Sequence, residues 1–263
     1  MDLKLKDKVA LITGASRGLG AASARLLAQE GARLVLTARD SETLAASASA
    51  IRAASNGQVA TIAEDLVAPE AAERIAAFAL DTYGRIDILV NSAGAAQGGA
   101  FWDIPDAVWK QSFELKFFAT VRMIRAVLTI MRDQKSGRII TIVGNGGRQP
   151  GPRSLPGSSA NAALLAITSG LARDVAADGI SINAVNPGPT MTDRWTGILT
   201  NLSDKTGRPV EELKAEIEDG IPTGRFSDPE EVARAVAFLA SDRTPNITGT
   251  SITCDGAMTQ AIA

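Results

Sequence analysis

The sequence predicts an α/β fold in which seven parallel strands form one doubly wound sheet with helices on both faces. Short apolar runs rich in β-branched residues alternate with longer segments whose apolar residues recur at helical spacing. Such alternation is typical of parallel strands joined by right-handed crossovers. A length of 263 residues, with 45% hydrophobic and 21% charged residues, suits a single domain, 1–263, with one sizeable core.

The predicted elements can be placed along the chain from these runs. The strands are "KVALIT", "RLVLTA", "VATIAE", "IDILVN", "RIITIV", "ISINAV" and "ITGTSITCD". The clearest helices between them cover 21–30, 41–55, 69–83 and 107–132. The segment 192–227 differs from the rest because it is more polar and is interrupted by glycine and proline. Its position after the sixth strand predicts a substrate lid.

Charge and residue counts exclude several classes of function. The formal net charge is −2 with no basic stripe, so we expect no nucleic-acid partner. The chain has no histidine and one cysteine, Cys254, which excludes serine–histidine hydrolysis, a disulfide framework and histidine- or cysteine-built metal sites; we expect no metal. The start "MDLKLKDKVALITGAS" shows no signal peptide and no long apolar run follows, so we expect a cytoplasmic protein without membrane attachment.

A glycine-rich loop follows the first strand and predicts a dinucleotide site of the Rossmann type. In "TGASRGLG", 13–20, the glycines stand at Gly14, Gly18 and Gly20, between a strand and a helix. Glycines allow a tight turn and a close approach of the backbone to a pyrophosphate, while the helix N-terminus faces the negative charge. The other loop residues expected at the cofactor are Ser16, Arg17 and Leu19.

The end of the second strand, "LVLTARD", predicts which dinucleotide binds. A carboxylate at this position usually binds a free ribose 2′-hydroxyl, whereas an arginine accommodates a 2′-phosphate. Arg39 stands here and Arg17 lies in the glycine loop. We therefore expect NADP(H) to be preferred, with NAD(H) as the alternative. A solvated surface charge is the competing interpretation of Arg39.

Four motifs in order make the chain similar to the short-chain dehydrogenase/reductase family over nearly its whole length. They are "TGASRGLG", Asp65 and Leu66 after the third strand, "NSAG" after the fourth and "NPGPTMT" after the sixth. The resemblance implies adenine contacts at Asp65 and Leu66, and ribose contacts at Asn91, Ala93 and Gly94. It implies a nicotinamide site at Pro187, Gly188, Thr190 and Thr192. It also implies a homodimer or homotetramer, and the helix "NAALLAITSGLARDVA" is apolar on more than one face, as expected at a subunit contact.

The catalytic positions that the resemblance implies are occupied by other residues. The family places an asparagine in its fourth helix, a serine after its fifth strand, and a tyrosine and a lysine four residues apart in its fifth helix. Here the corresponding residues are Lys116, Gly144, Gly157 and Asn161, in that order. The only tyrosine, Tyr83, falls at the end of the third helix, away from the strand ends. Ser158 or Ser159 is expected to cap the helix that begins there.

Lysine and asparagine have thus exchanged places at 116 and 161, which keeps one cation and one amide beside the ribose. Lys116 could then serve as the proton donor or polarise a water; alternatively it only faces solvent or fills a charge pair. We expect an NADP(H)-dependent oxidoreductase acting on a small-molecule carbonyl or alcohol, with Lys116 and Asn161 as catalytic residues. The alternative is a catalytically silent NADP(H)-binding protein. Arg148, Arg153 and Arg194 flank the expected substrate mouth, where they either bind a carboxylate or phosphate or are simply exposed.

Overall fold

A computed structural model describes residues 2–95 and 97–260, and they form one seven-stranded sheet. All strand pairs are parallel and the order across the sheet is β3-β2-β1-β4-β5-β6-β7. The predicted doubly wound parallel sheet is confirmed. The strands are β1 (Val9–Thr13), β2 (Arg33–Ala38), β3 (Val59–Ala63), β4 (Ile88–Asn91), β5 (Gly137–Ile142), β6 (Ile180–Pro187) and β7 (Ser251–Cys254).

Helices connect the strands on both faces of the sheet. They are α1 (Gly18–Gln29), α2 (Ser41–Ser55), α3 (Ala71–Tyr83), α4 (Asp106–Phe113), α5 (Ala119–Gln134), α6 (Leu155–Val175), α7 (Asp193–Thr206), α8 (Val210–Asp219) and α9 (Pro229–Ala240). A single π turn, Glu114–Phe118, joins α4 to α5, so the helix expected at 107–132 is continuous but locally widened. Within the described residues, no helix is both long enough and apolar enough to cross a membrane.

The core lies in two layers because side chains of the strands alternate between the faces of the sheet. On β1, Ala10 and Ile12 pack into the layer beneath α1, α2 and α9, while Leu11 between them packs into the layer beneath α3, α5 and α6. Both faces are covered, so β1 is buried along its whole length. This explains why the strands appear in the sequence as nearly continuous apolar runs.

The strand order reverses at β1, which has β2 on one side and β4 on the other. Crossovers therefore leave β1 in opposite directions, and a crevice opens between the carboxyl ends of β1 and β4. The glycine loop begins in this crevice. The topology thus places the candidate cofactor motif where open α/β sheets bind ligands.

One local expectation is wrong. Helix α6 begins earlier than expected, at Leu155 with Ser154 at its N-cap, so Ser158 and Ser159 lie inside the helix and do not cap it. The segment 192–227, despite its glycines and prolines, is largely regular and forms α7 and α8. A lid function for this segment stays a prediction. Tyr83 is the last residue of α3, as expected, and packs against the core.

Candidate functional site

The glycine loop has a backbone that only glycine adopts easily. Gly14 and Gly18 have φ angles of +63° and +58°. A Cβ atom at Gly14 would lie 2.8 Å from the Cα and N atoms of Ala93, and a Cβ at Gly20 would overlap the carbonyl oxygen of Gly14. The bare backbone therefore lets β1, α1 and the segment after β4 meet closely.

The N-terminus of α1 is open to a negatively charged ligand. Its N-cap residue, Arg17, has an extended backbone, is exposed and provides no side-chain cap, and the first turn contains no acidic residue. Ser16 is half-buried beside it, whereas Leu19 packs against the core. Uncapped amide groups and the helix dipole together favour a phosphate here.

The segment after β4 is fixed to β1 by one hydroxyl group. Thr13 Oγ1 accepts hydrogen bonds from the backbone N–H groups of Ser92 (3.1 Å) and Ala93 (3.2 Å). Asn91 is buried; its Nδ2 donates a long bond to Thr141 Oγ1 (3.5 Å) and its Oδ1 has no hydrogen-bond partner. A buried amide oxygen without a partner is unusual. It leaves an acceptor at the place expected for a ribose hydroxyl.

The ends of β2 and β3 form the outer part of the same edge. Arg39 is exposed just beyond β2, and the adjacent carboxylate of Asp40 is occupied, because it accepts hydrogen bonds from Thr43 N (2.8 Å) and Oγ1 (2.6 Å) at the start of α2. After β3, Asp65 Oδ1 accepts from Val67 N (3.1 Å), and Leu66 is buried. Within the described residues Arg39 forms no ion pair, so its guanidinium is available at this edge.

The segment after β6 approaches the end of β7. Gly188 N–H donates to the Cys254 carbonyl (3.0 Å), and a Cβ at Gly188 would lie 2.6 Å from that of Asp255. Pro187 closes β6, and Thr190 donates from Oγ1 to the Gly188 carbonyl (3.1 Å).

The start of α7 connects this segment to the glycine loop. Thr192 is the N-cap residue of α7, and its Cγ2 lies 3.8 Å from the position of a Cβ at Gly18. The chain from β6 therefore crosses over the crevice. The cofactor positions expected from the sequence lie at or follow the carboxyl ends of β1, β2, β3, β4 and β6, so these five segments lie along one edge of the sheet.

Lys116 lies in the π turn, and its side chain extends over the segment after β4. Its Cγ and Cε atoms lie 3.2 and 3.3 Å from the position of a Cβ at Gly94, so only glycine at 94 leaves room for the lysine stem. Burial, reinforced by the positive charge of Arg194, lowers the pKa of Lys116 to about 8. π turns often occur at functional sites because they redirect side chains.

Asn161 lies on α6, which packs against the π turn. It is buried, and its Nδ2 is 3.2 Å from the position of a Cβ at Gly144. Its Oδ1 has no hydrogen-bond partner. Gly144 has a φ of +108° and a ψ of 145°, which is essentially a glycine-only conformation. Gly157 is buried one turn earlier on α6.

A contact between two loops at this edge was not anticipated from the sequence. The carbonyl oxygen of Arg153 accepts a hydrogen bond from Gly99 N–H (2.9 Å) and would overlap a Cβ at Gly98. This contact ties the loop after β4 to the loop after β5. The consecutive glycines in "QGGAF" were the available signal, since paired glycines mark places where backbones approach closely.

Comparisons with known proteins agree with this geometry. The family model described as enoyl-(acyl carrier protein) reductase matches residues 14–259. The 3-oxoacyl-[acyl-carrier-protein] reductase FabG of Escherichia coli (strain K12) is 34% identical over 262 residues, which are 97% of this chain and 99% of that protein. This chain belongs to the short-chain dehydrogenase/reductase family. The match extends from the glycine loop through β7 and includes every motif on which the resemblance depends.

Solved structures of other short-chain reductases have the same fold. L-sorbose reductase from Gluconobacter frateurii, solved with NADPH and L-sorbose, has a TM-score of 0.96 and 32% identity, with 100% of both chains covered. An actinorhodin polyketide ketoreductase variant solved with NADPH has a TM-score of 0.93 and 30% identity, covering 97% of this chain and 98% of that one. Both neighbours were solved with NADPH, and this family member shares their fold over at least 97% of its length.

The crevice of this short-chain dehydrogenase/reductase fits a dinucleotide on structural grounds. Without Cβ atoms at Gly14 and Gly20 the glycine loop packs tightly against neighbouring backbone, and α1 presents uncapped amide groups. Asn91 and Asn161 each have a buried amide oxygen with no hydrogen-bond partner among the described residues. A pyrophosphate requires a backbone that it can approach closely and the positive end of a helix dipole, and ribose hydroxyls require free hydrogen-bond acceptors.

Proposed function

We propose that this protein is an NADPH-dependent carbonyl reductase in which Lys116 donates the proton. The observation that carries this proposal is the position of Lys116, whose stem lies over Gly94 at the crevice and whose pKa is lowered to about 8. General acids work best when their pKa lies near the operating pH. A lysine with its ordinary pKa would hold its proton too tightly.

The preference for NADPH is supported by the charges at the outer edge. Arg39 and Arg17 are exposed cations beside β2 and the glycine loop, and the carboxylate of Asp40 is engaged at α2. L-sorbose reductase and the actinorhodin ketoreductase were both solved with NADPH. In this protein we assign the pyrophosphate to the N-terminus of α1 and the 2′-phosphate to the two arginines.

In the proposed reaction the cofactor supplies the hydride and the protein supplies the proton. Bound NADPH supplies the hydride that adds to the carbonyl carbon. The ammonium group of Lys116 then donates a proton to the carbonyl oxygen and regains one from solvent. With a pKa of about 8, roughly ten in eleven Lys116 side chains carry the proton at pH 7, which is enough for an acid.

Asn161 is proposed to orient the substrate. Its Nδ2 lies 3.2 Å from where a side chain at 144 would begin, so the amide N–H can donate to a carbonyl oxygen in the space that a serine at 144 would occupy. Its free Oδ1 faces the same buried region and can accept from a ribose hydroxyl. Under this proposal, Gly144, Gly157, Asn161 and Lys116 replace the serine, tyrosine, lysine and asparagine of the family.

The loss of a tyrosine acid is compatible with turnover. A positioned acid accelerates a reaction about 10²- to 10⁴-fold, whereas holding two reactants in the correct orientation can lower the barrier by about 7 to 11 kcal/mol.

If Lys116 performs the acid step, Lys116→Met should lower kcat about 100-fold or more while NADPH affinity changes little. Lys110→Met, an exposed lysine on α4, is the matched control and should leave kcat unchanged.

The deciding experiment combines binding with turnover. NADPH is titrated by calorimetry, and a panel of ketones and aldehydes is followed by NADPH absorbance. We expect kcat/KM to decline above about pH 8, where Lys116 loses its proton, and this decline should vanish in Lys116→Met. NADPH binding without turnover of any panel member would show a silent binding protein and refute the proposal. A pH profile unchanged by Lys116→Met would remove Lys116 from the acid step.

We also propose that the chain assembles as a homodimer or homotetramer through α6. Its outward face carries small exposed residues, among them Ala162, Ala166, Ser169 and Gly170. Small residues allow two helices to approach closely and exclude water between them. Light scattering at several protein concentrations tests this, and an Ala166→Glu variant should shift the mass toward the monomer. A monomeric parent chain would refute it.

A further inference from the structure

The mouth of the proposed site holds cations from two different elements. Lys116 comes from the π turn and Arg194 from the first turn of α7, directly after Thr192. The charge of Arg194 is close enough to act on Lys116 and disfavours its protonation. Arg153 belongs to the loop that the glycine pair Gly98 and Gly99 contacts at the same edge.

These cations have no acidic partners in the described part of the chain, which includes every aspartate and glutamate. All ion pairs among the described residues involve other arginines and lysines; one of them joins Arg122 to Glu114, two residues before Lys116. Glu114, the acid nearest to Lys116 in sequence, pairs with Arg122 at 2.6 Å, and Asp193, which directly precedes Arg194, forms no ion pair within the described residues. Lys116 is partly buried and loses hydration, and the like charge of the exposed Arg194 adds repulsion that none of these ion pairs offsets. An anion at this position would relieve both costs.

We propose that the substrate is a carbonyl compound that carries an anionic group, a carboxylate or a phosphate, close to the carbonyl. This inference rests on the proposed reduction at Lys116. The anionic group binds Arg194, whose guanidinium presents a planar fork to two oxygens. The carbonyl oxygen then lies toward Lys116 and the Asn161 amide.

The reaction balances with this substrate. The hydride adds to the carbonyl carbon, the electron pair of the C=O π bond moves to oxygen, and the proton from Lys116 completes the alcohol. The anionic group takes part in no bond change and serves only to bind. A protonated imine, which would need no acid, is disfavoured because its positive charge would meet Lys116 and Arg194.

Matched pairs of ligands test the inference without requiring turnover. The protein saturated with NADP⁺ is titrated by calorimetry with 3-hydroxybutyrate and its methyl ester, and with glycerol 3-phosphate and glycerol. In at least one pair the anionic member should bind about tenfold tighter. This affinity ratio lies between the effect of an exposed ion pair and that of a buried charge-assisted hydrogen bond. The pair that shows the preference identifies the anionic group.

Variants on α7 assign the effect to Arg194. Arg194→Gln should remove most of the preference for the anion while the neutral member binds as before. Lys205→Gln, an exposed lysine at the other end of the same helix, is the control and should retain the preference. Added salt should weaken the preference, because Arg194 is exposed.

The outcomes separate this inference from the proposed function. If neither anionic member binds more tightly, or if Arg194→Gln retains the full preference, the inference is overturned even when neutral carbonyls are reduced. If the anionic member binds tightly through Arg194 but no keto acid or keto phosphate is reduced, the inference stands and the proposed reduction fails.

Discussion

Replacing Lys116 by methionine should stabilise the protein while it slows the proposed reaction. The ammonium group is held in a partly buried position where its pKa falls from 10.5 to about 8. Each pKa unit corresponds to about 1.4 kcal/mol, so keeping this lysine protonated costs the folded state about 3 kcal/mol at pH 7. Methionine has a similar length and no charge, and removes that cost.

The pH dependence has a definite sign. The folded pKa lies below the unfolded pKa, so the unfolded chain binds more protons between about pH 8 and 10.5, and the stability of the parent protein rises with pH through that window. The advantage of Lys116→Met over the parent protein should therefore be greater at pH 7, about 3 kcal/mol, and shrink to roughly half of that at pH 9.5.

Urea unfolding at pH 7 and pH 9.5 measures this difference, with all variants at one protein concentration so that any subunit association contributes equally. Lys110→Met is the control, because Lys110 is exposed and should change stability by less than about 0.5 kcal/mol. A Lys116→Met variant that is less stable than the parent at pH 7, or whose advantage does not shrink with pH, would refute the claim that burial lowers this pKa.

Three further substitutions follow from the same structure. Gly144→Ser should not raise kcat and should destabilise the fold by about 1 to 3 kcal/mol in urea unfolding, because the φ of +108° disfavours any side chain; a more active variant would contradict this. Arg39→Ala should weaken NADPH binding about ten- to a hundredfold by calorimetry while NADH binding is unchanged, and an unaltered preference would remove Arg39 from the 2′-phosphate site. Gly14→Ala should weaken NADPH binding more than tenfold, because its Cβ would lie 2.8 Å from the Ala93 backbone; normal affinity would mean that the two segments can separate freely.

Much of the fold could be predicted from local pattern. β1 is buried on both faces, and such a strand has to be apolar throughout, so "VALIT" is recognisable without any knowledge of its neighbours. The sequence pattern extends the edge strand β7 to 247–255, whereas only residues 251–254 pair with β6, because the preceding turn also contains β-branched residues. Helix boundaries were similarly displaced at α6, where the proline after Leu155 marks the first turn better than the later serines.

The sequence by itself determined the glycine loop, because a strand, a turn and a helix adjacent in the chain form it, and the contact between Gly20 and the carbonyl of Gly14 lies within this unit. Only the tertiary structure decided what surrounds the substrate. The lowered pKa of Lys116 depends on burial and on Arg194, which lies 78 residues later in the chain, and the free amide of Asn161 depends on a turn that packs against α6. Desolvation and Coulomb interactions act through space, so they become visible only once the chain has brought these groups together.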